Sequence, residues 1–126
     1  MAEIVGVGTD LVEIARFRLA LERRGERLRR RLFSPEELAY ADRHRDPAPR
    51  LAARFATKEA VMKAMGVGLW KFKLRDVEVQ RARSGAPSVV LHGRAAEMAG
   101  ARGVAGWHLS LSHSDTTAIA VAVAVA

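Results

Sequence analysis

The sequence predicts an α+β domain in which helices pack against a mainly antiparallel sheet. Three observations carry that expectation. The apolar period switches between about two and about 3.6 residues along the chain. Glycine and proline fall near the switches. The 126 residues are 49% apolar and 28% charged, globular proportions for a single domain with one core.

The elements follow in order. Ile4 to Gly8 is β-branched and glycine-punctuated and reads as a buried strand. From Leu11 the period becomes helical. Ile14, Phe17, Leu21, Leu28 and Leu32 share one face, and Arg16, Arg23, Arg27 and Arg30 the opposite one. Gly25 weakens this helix midway and predicts a break. Ser34 reads as the N-cap of a second helix, with Pro35 at the first position and Glu37 three residues after the cap. That helix is expected to end near His44, and Asp46-Pro47-Ala48-Pro49 reads as a loop. A third helix is expected from Arg50 or Leu51 to Met65, closed by Gly66 and Gly68. Val77 and Val79 then alternate with polar neighbours, Ser84-Gly85-Ala86-Pro87 turns the chain, and Val89 to His92 returns. Arg94 to Ala101 reads as a short helix ending at Gly103. Trp107 to Ser112 and Thr116 to Val125 form a last hairpin around Ser112-His113-Ser114-Asp115. Its second strand puts Ile119, Val121, Val123 and Val125 on one face and alanines on the other. The small face admits close approach by an internal helix or by another subunit.

Composition excludes several classes. With no cysteine there are no disulfides, zinc–thiolate sites or thiol catalysis. No apolar run reaches the roughly 18 residues of a membrane-spanning helix. Met1 to Asp10 lacks a positive n-region and a cleavage signal, so the expected compartment is the cytosol. The 21 basic and 14 acidic residues leave a formal charge of +7. Most of it is concentrated in Arg16–Arg31, where eight arginines face only Glu22 and Glu26. Such a field implies an anionic partner and speeds encounter with it.

Three places could carry chemistry. Asp10 follows Gly6-Val7-Gly8-Thr9 where a strand is expected to give way to a helix, as a cap or as a carboxylate held ionised by the helix's positive end. Gly6-x-Gly8 alone is a weak nucleotide-loop signal. Lys58 falls inside the apolar stripe formed by Leu51, Phe55, Met62 and Met65, and Glu59 falls on its edge. Charges so placed are costly unless paired or bound to a metal. A plain Glu59–Lys63 helical pair with Lys58 snorkelling is the simpler account. His113 lies among Ser110, Ser112, Ser114 and Asp115, but neighbours in one turn cannot form a hydrolase relay. His44, His92 and His108 have no metal-ligand spacing and read as structural.

Taken together, these segments resemble one family. Gly6-Val7-Gly8-Thr9-Asp10-Leu11-Val12-Glu13-Ile14-Ala15-Arg16 resembles the N-terminal signature of the holo-acyl-carrier-protein synthases, the small 4′-phosphopantetheinyl transferases. Phe33-Ser34-Pro35-Glu36-Glu37 looks like their second block, and Arg54 to Gly66 matches their central signature. Ser84-Gly85-Ala86-Pro87 looks like their Gly-x-Pro turn, and Trp107 to His113 matches their C-terminal block. One departure is that Ser114 stands where many members have an acid, with Asp115 following.

The resemblance implies transfer of the 4′-phosphopantetheine arm from coenzyme A to a serine of apo acyl carrier protein, releasing adenosine 3′,5′-bisphosphate. It implies that Asp10 and Glu59 hold magnesium, an ion that takes one or two carboxylates plus phosphate oxygens and waters. Either Glu59 or a metal-bound water then takes the serine proton. Lys63 and Arg54 are implied to meet coenzyme A phosphates. Gly66 and the Gly85–Pro87 turn would let the backbone approach the nucleotide, and Lys58 would orient Glu59. His113 is implied to reach a phosphate from a neighbouring subunit of a homotrimer with sites between protomers. Arg16, Arg23, Arg24 and Arg27 would meet the acidic carrier protein, a contact that mainly raises association rate and selects the partner. No nucleic acid and no membrane is expected. A nucleic-acid module predicts aromatics interleaved with the basic residues, yet the arginine stretch has only Phe17, on the other face. That module and a non-catalytic adaptor for acidic proteins both leave Asp10 and Glu59 without a role.

Overall fold

The computed structural model describes residues 3–68 and 71–126; the first two residues of the segment read for a leader lie outside them. The elements are β1 (Ile4–Glu13), α1 (Ile14–Leu32), α2 (Pro35–Ala41), α3 (Ala48–Ala64), a 3₁₀ turn (Leu74–Asp76), β2 (Val77–Arg81), β3 (Pro87–Leu91), α4 (Gly93–Ala101), β4 (Gly106–His113) and β5 (Thr117–Val125). An antiparallel sheet has the order β1-β5-β4, and β2 and β3 form a separate antiparallel hairpin. The expected α+β class holds.

Helix α3 lies across one face of the sheet, and small residues let it come unusually near. The inner face of β5 is Ala118, Ala120, Ala122 and Ala124, all fully buried. In β1 the inner face carries Gly6 and Gly8. A Cβ on Gly8 would stand 1.9 Å from the carbonyl oxygen of Ala60, and one on Gly6 1.9 Å from that of Ala64. Backbone therefore meets backbone there, and glycine is the residue that permits it. These glycines are packing residues, which answers the nucleotide-loop signal. The alanine face of β5 likewise meets the internal helix, one of the two occupants open at the sequence level. The opposite face of the sheet is apolar and exposed: Val7 is 59% exposed, Leu11 61% and Ile119 43%, with Leu11 opposite Ile119 and Val7 opposite Val123 across the β1–β5 pair.

Several boundaries differ from expectation. Strand β1 runs through Asp10 to Glu13, because its pairing with β5 continues to Glu13–Thr117. Helix α1 then starts at Ile14 without a side-chain cap. Asp10 is therefore a strand residue opposite Ala120, and neither a cap nor a group at a helix end. The break at Gly25 is present, at φ 62° and ψ −146°, a region essentially reserved for glycine. The capping box is present too: Ser34 Oγ accepts from the Glu37 N–H at 3.3 Å, and Glu37 Oε1 accepts from the Ser34 N–H at 2.9 Å. Helix α2 stops at Ala41, short of His44, and α3 begins at Ala48 within the expected loop. Proline is tolerated in a first helical turn, where an N–H has no intrahelical partner. His113 is the last residue of β4, and the turn begins after it.

Candidate active site

The structure gathers the sequence-marked residues into two clusters on opposite flanks of α3 and a third on α1.

The first cluster lies at the β1 edge. Lys63 Nζ donates to Asp10 Oδ1 at 3.1 Å and to the Thr9 carbonyl at 3.0 Å. Helical side chains lean toward the helix N-terminus, which brings Lys63 back from above Gly6 to the level of Asp10. Glu59, half-buried, sits one turn before Lys63 on the same side. Desolvation, and then the negative charge of Asp10, push the Glu59 carboxyl above its ordinary value, while Lys63 works against them. Lys63 makes its ion pair with Asp10 rather than with Glu59. Among the described residues no group of three or more His, Asp or Glu side chains is arranged to hold a metal ion. Two adjacent carboxylates fit a magnesium ion that completes its shell with phosphate oxygens and water.

The second cluster lies at the β4 edge. A cavity of about 350 Å³ is lined by Arg50, Arg54, Arg81, Gly85, Pro87 and His113, and by no carboxylate. Arg54 is only 4% exposed and its Nε has no hydrogen-bond partner. Burial lowers its pKa, opposed by Glu37 and Tyr40, and arginine remains protonated at neutral pH. Arg81 spans the hairpin turn, donating from Nε and Nη2 to the Gly85 carbonyl at 3.3 and 3.1 Å. Four expected coenzyme residues, Arg54, Gly85, Pro87 and His113, thus share one cavity of one chain. His113 lines this cavity together with Arg54 of its own chain. Lys63 and Gly66 are not part of this cavity. Gly66 ends α3 at φ 70° with its N–H bonded to the Lys63 carbonyl, and that positive φ accounts for glycine there. Arg50 and Arg81 carry no sequence signal of their own.

The third cluster is on α1. Arg18 pairs with Asp46, and Arg29 with Asp42 and Glu26. Among the described residues no ion pair engages Arg16, Arg23, Arg24 or Arg27, all exposed. Arg16 and Arg24 rim an apolar groove of about 480 Å³ floored by Phe17, Leu28 and Phe55. Phe17 and Phe55 stack with centroids 5.2 Å apart. Phe55 was read from the sequence only as a core residue.

Lys58 corrects an expectation. It is fully buried and turns away from Glu59. Its Nζ donates to Glu37 Oε1 at 2.7 Å, to the Leu74 carbonyl at 3.0 Å and to the Val77 carbonyl. Glu37 Oε2 also accepts from the Val79 N–H at 3.1 Å. Burial lowers the Lys58 pKa and Glu37 opposes the shift. Lys58 therefore joins α3 to α2 and β2.

A family model of the 4′-phosphopantetheinyl transferase superfamily matches residues 6–123. The chain belongs to this superfamily. Among curated proteins it is 47% identical over 122 residues to a holo-[acyl-carrier-protein] synthase of Desulforudis audaxviator, covering 97% of this chain and 93% of that one. It is 45% identical over 116 residues to that of Moorella thermoacetica, covering 92% and 90%. Among solved structures, a Plasmodium yoelii acyl carrier protein synthase with ADP bound superposes with TM-score 0.91 at 30% identity, covering 99% and 97% of the two chains. A Helicobacter pylori holo-[acyl-carrier-protein] synthase in complex with coenzyme A gives TM-score 0.83 at 30% identity, covering 94% and 98%. Within the superfamily the chain groups with the holo-[acyl-carrier-protein] synthases and is a phosphopantetheinyl transferase.

Proposed function

We propose that this transferase moves the 4′-phosphopantetheine arm of coenzyme A onto a serine hydroxyl of an apo acyl carrier protein, with magnesium, and releases adenosine 3′,5′-bisphosphate. The observation that carries the reading is the meeting of Asp10 and Glu59, from a strand and a helix distant in sequence, beside Lys63. The serine oxygen attacks the diphosphate phosphorus that bears the pantetheine arm. The bond from that phosphorus to the bridging oxygen breaks, and adenosine 3′,5′-bisphosphate leaves with that oxygen. Asp10 and Glu59 hold the magnesium, which when bound neutralises charge on the diphosphate. Lys63 exchanges its bond to Asp10 for one to a phosphate oxygen. Glu59 or a metal-bound water would take the serine proton. Arg54 and His113 bind a coenzyme phosphate, and the Gly85–Pro87 turn walls the nucleotide. Exposed Arg16, Arg23, Arg24 and Arg27 meet acidic groups on the carrier.

The acids and the cavity lie on opposite flanks of α3, so a coenzyme touching both bridges two chains. The exposed apolar face around Val7, Leu11 and Ile119 supports such packing, and three copies around one axis place the cavity of one chain beside the acids of the next.

The test is mass spectrometry of apo carrier protein after incubation with coenzyme A and magnesium. The expected result is the mass gain of one phosphopantetheine, abolished by Asp10→Ala and by Glu59→Ala with circular dichroism unchanged. Full activity in either variant rejects the metal assignment.

A further inference from the structure

Tyr40 sits on α2, half-exposed, and takes no part in the apolar core. Its contacts are cationic. The phenol oxygen accepts a hydrogen bond from Arg81 Nη1 at 2.8 Å. Its ring carries the Arg54 guanidinium 4.3 Å from the centroid, and the Arg81 guanidinium lies 6.0 Å from the same point. His44 meets the ring edge with centroids 5.4 Å apart. Burial works to raise the Tyr40 pKa, but the hydrogen bond and charge of Arg81, with Arg50 and Arg54 nearby, outweigh it and hold the phenol below its ordinary value.

Two guanidiniums at one cavity wall repel each other, and the repulsion grows as water is excluded. The Glu37 charge offsets part of this at Arg54, and Tyr40 adds to that offset before the ligand arrives. The aromatic face attracts Arg54, and the hydroxyl, with the Gly85 carbonyl, fixes Arg81 from two sides. The buried Arg54 Nε has no acceptor among the described residues of the chain, and a phosphate oxygen of a ligand in the cavity would supply one. We propose that Tyr40 is a positioning residue for coenzyme binding, holding Arg54 by its ring and Arg81 by its hydroxyl so that both guanidiniums bear on one phosphate group. This rests on the reading that the cavity receives a coenzyme A phosphate.

The experiment measures steady-state kinetics and calorimetric coenzyme A binding, with magnesium, for Tyr40→Phe, Arg81→Gln, the double variant and Arg54→Gln. Tyr40→Phe keeps the ring beneath Arg54 and removes the hydroxyl, the acceptor of Arg81, which also bears on Arg50 and Arg54. Its KM and Kd for coenzyme A are expected to rise about tenfold, the scale of one charge-assisted hydrogen bond, with kcat and the carrier KM unchanged. In the Arg81→Gln background the same substitution is expected to have a much smaller effect, since the hydroxyl acts chiefly through Arg81. A KM left unchanged by Tyr40→Phe, or an effect that persists in full in that background, overturns the proposal while leaving the cavity reading in place. If Arg54→Gln and Arg81→Gln both bind coenzyme A as the parent does, the cavity reading falls, and the proposal with it.

Discussion

Glu59 shows how a single position records its surroundings. It is half-buried, and desolvation followed by the charge of Asp10 keeps its carboxyl above the ordinary glutamate value. The folded chain therefore binds that proton more readily than the unfolded chain. The stability this group contributes is fully present below the ordinary glutamate range and is lost as pH rises through the raised value. At neutral pH an ionised Glu59 destabilises the metal-free fold. Glu59→Gln is accordingly expected to raise the thermal midpoint at pH 7 by a few degrees in metal-free buffer, a gain that shrinks as the pH is lowered toward about 4. Calorimetry across that range checks it, and a midpoint at pH 7 equal to or below the parent's rejects the assignment. A site residue that costs stability when its ligand is absent is a common trade.

At the scale of elements, the Lys58–Glu37 pair ties α2, α3 and β2 together inside the core. Breaking a buried pair leaves one uncompensated charge, so Lys58→Met is expected to destabilise the fold by about 3–5 kcal/mol. The double variant Lys58→Met, Glu37→Leu is expected to recover only the part due to the unpaired charge, because the Ser34 and Val79 N–H groups lose their acceptor as well, and denaturant titration of the three proteins decides it. A single variant as stable as the parent shows that the pair is dispensable. The same elements show what was legible in the sequence. The capping box at Ser34 and the break at Gly25 are written in a few adjacent residues, and both were readable. Strand β1 beyond Gly8 was not, because Asp10 to Glu13 are held extended by β5, more than a hundred residues away. The oddity of Lys58 in an apolar stripe was visible, but its partner lies 21 residues back. Asp10, Glu59 and Lys63 were legible through motif resemblance. Arg81 and Tyr40 were not, since their meeting depends on the β2–β3 hairpin folding against α2.

At the scale of the whole molecule, α3 carries Arg50 and Arg54 toward one edge of the sheet and Glu59 and Lys63 toward the other. With an exposed apolar sheet face beside them, a site shared between copies predicts complementation. Asp10→Ala and His113→Ala chains are each expected to be weak alone. Mixed after dissociation and reassociation, they are expected to regain activity, because some interfaces then join an intact acid pair to an intact cavity. Transfer assays on the mixture check this, and activity no greater than the sum of the separate variants rejects the shared site.

The glycine–alanine seam beneath α3 bears on how this chain can vary. Along Gly6, Gly8, Ala60 and Ala64 no side chain stands between helix and strand, so no flexible group can swing aside for an added methyl. In a library of all single substitutions read out by folding, these positions should be nearly invariant. The solvent face of α1, a few residues along the chain, should accept most replacements. Inheritance is thus narrowest at the least decorated residues, and selection for a new partner has its freest material in the arginines.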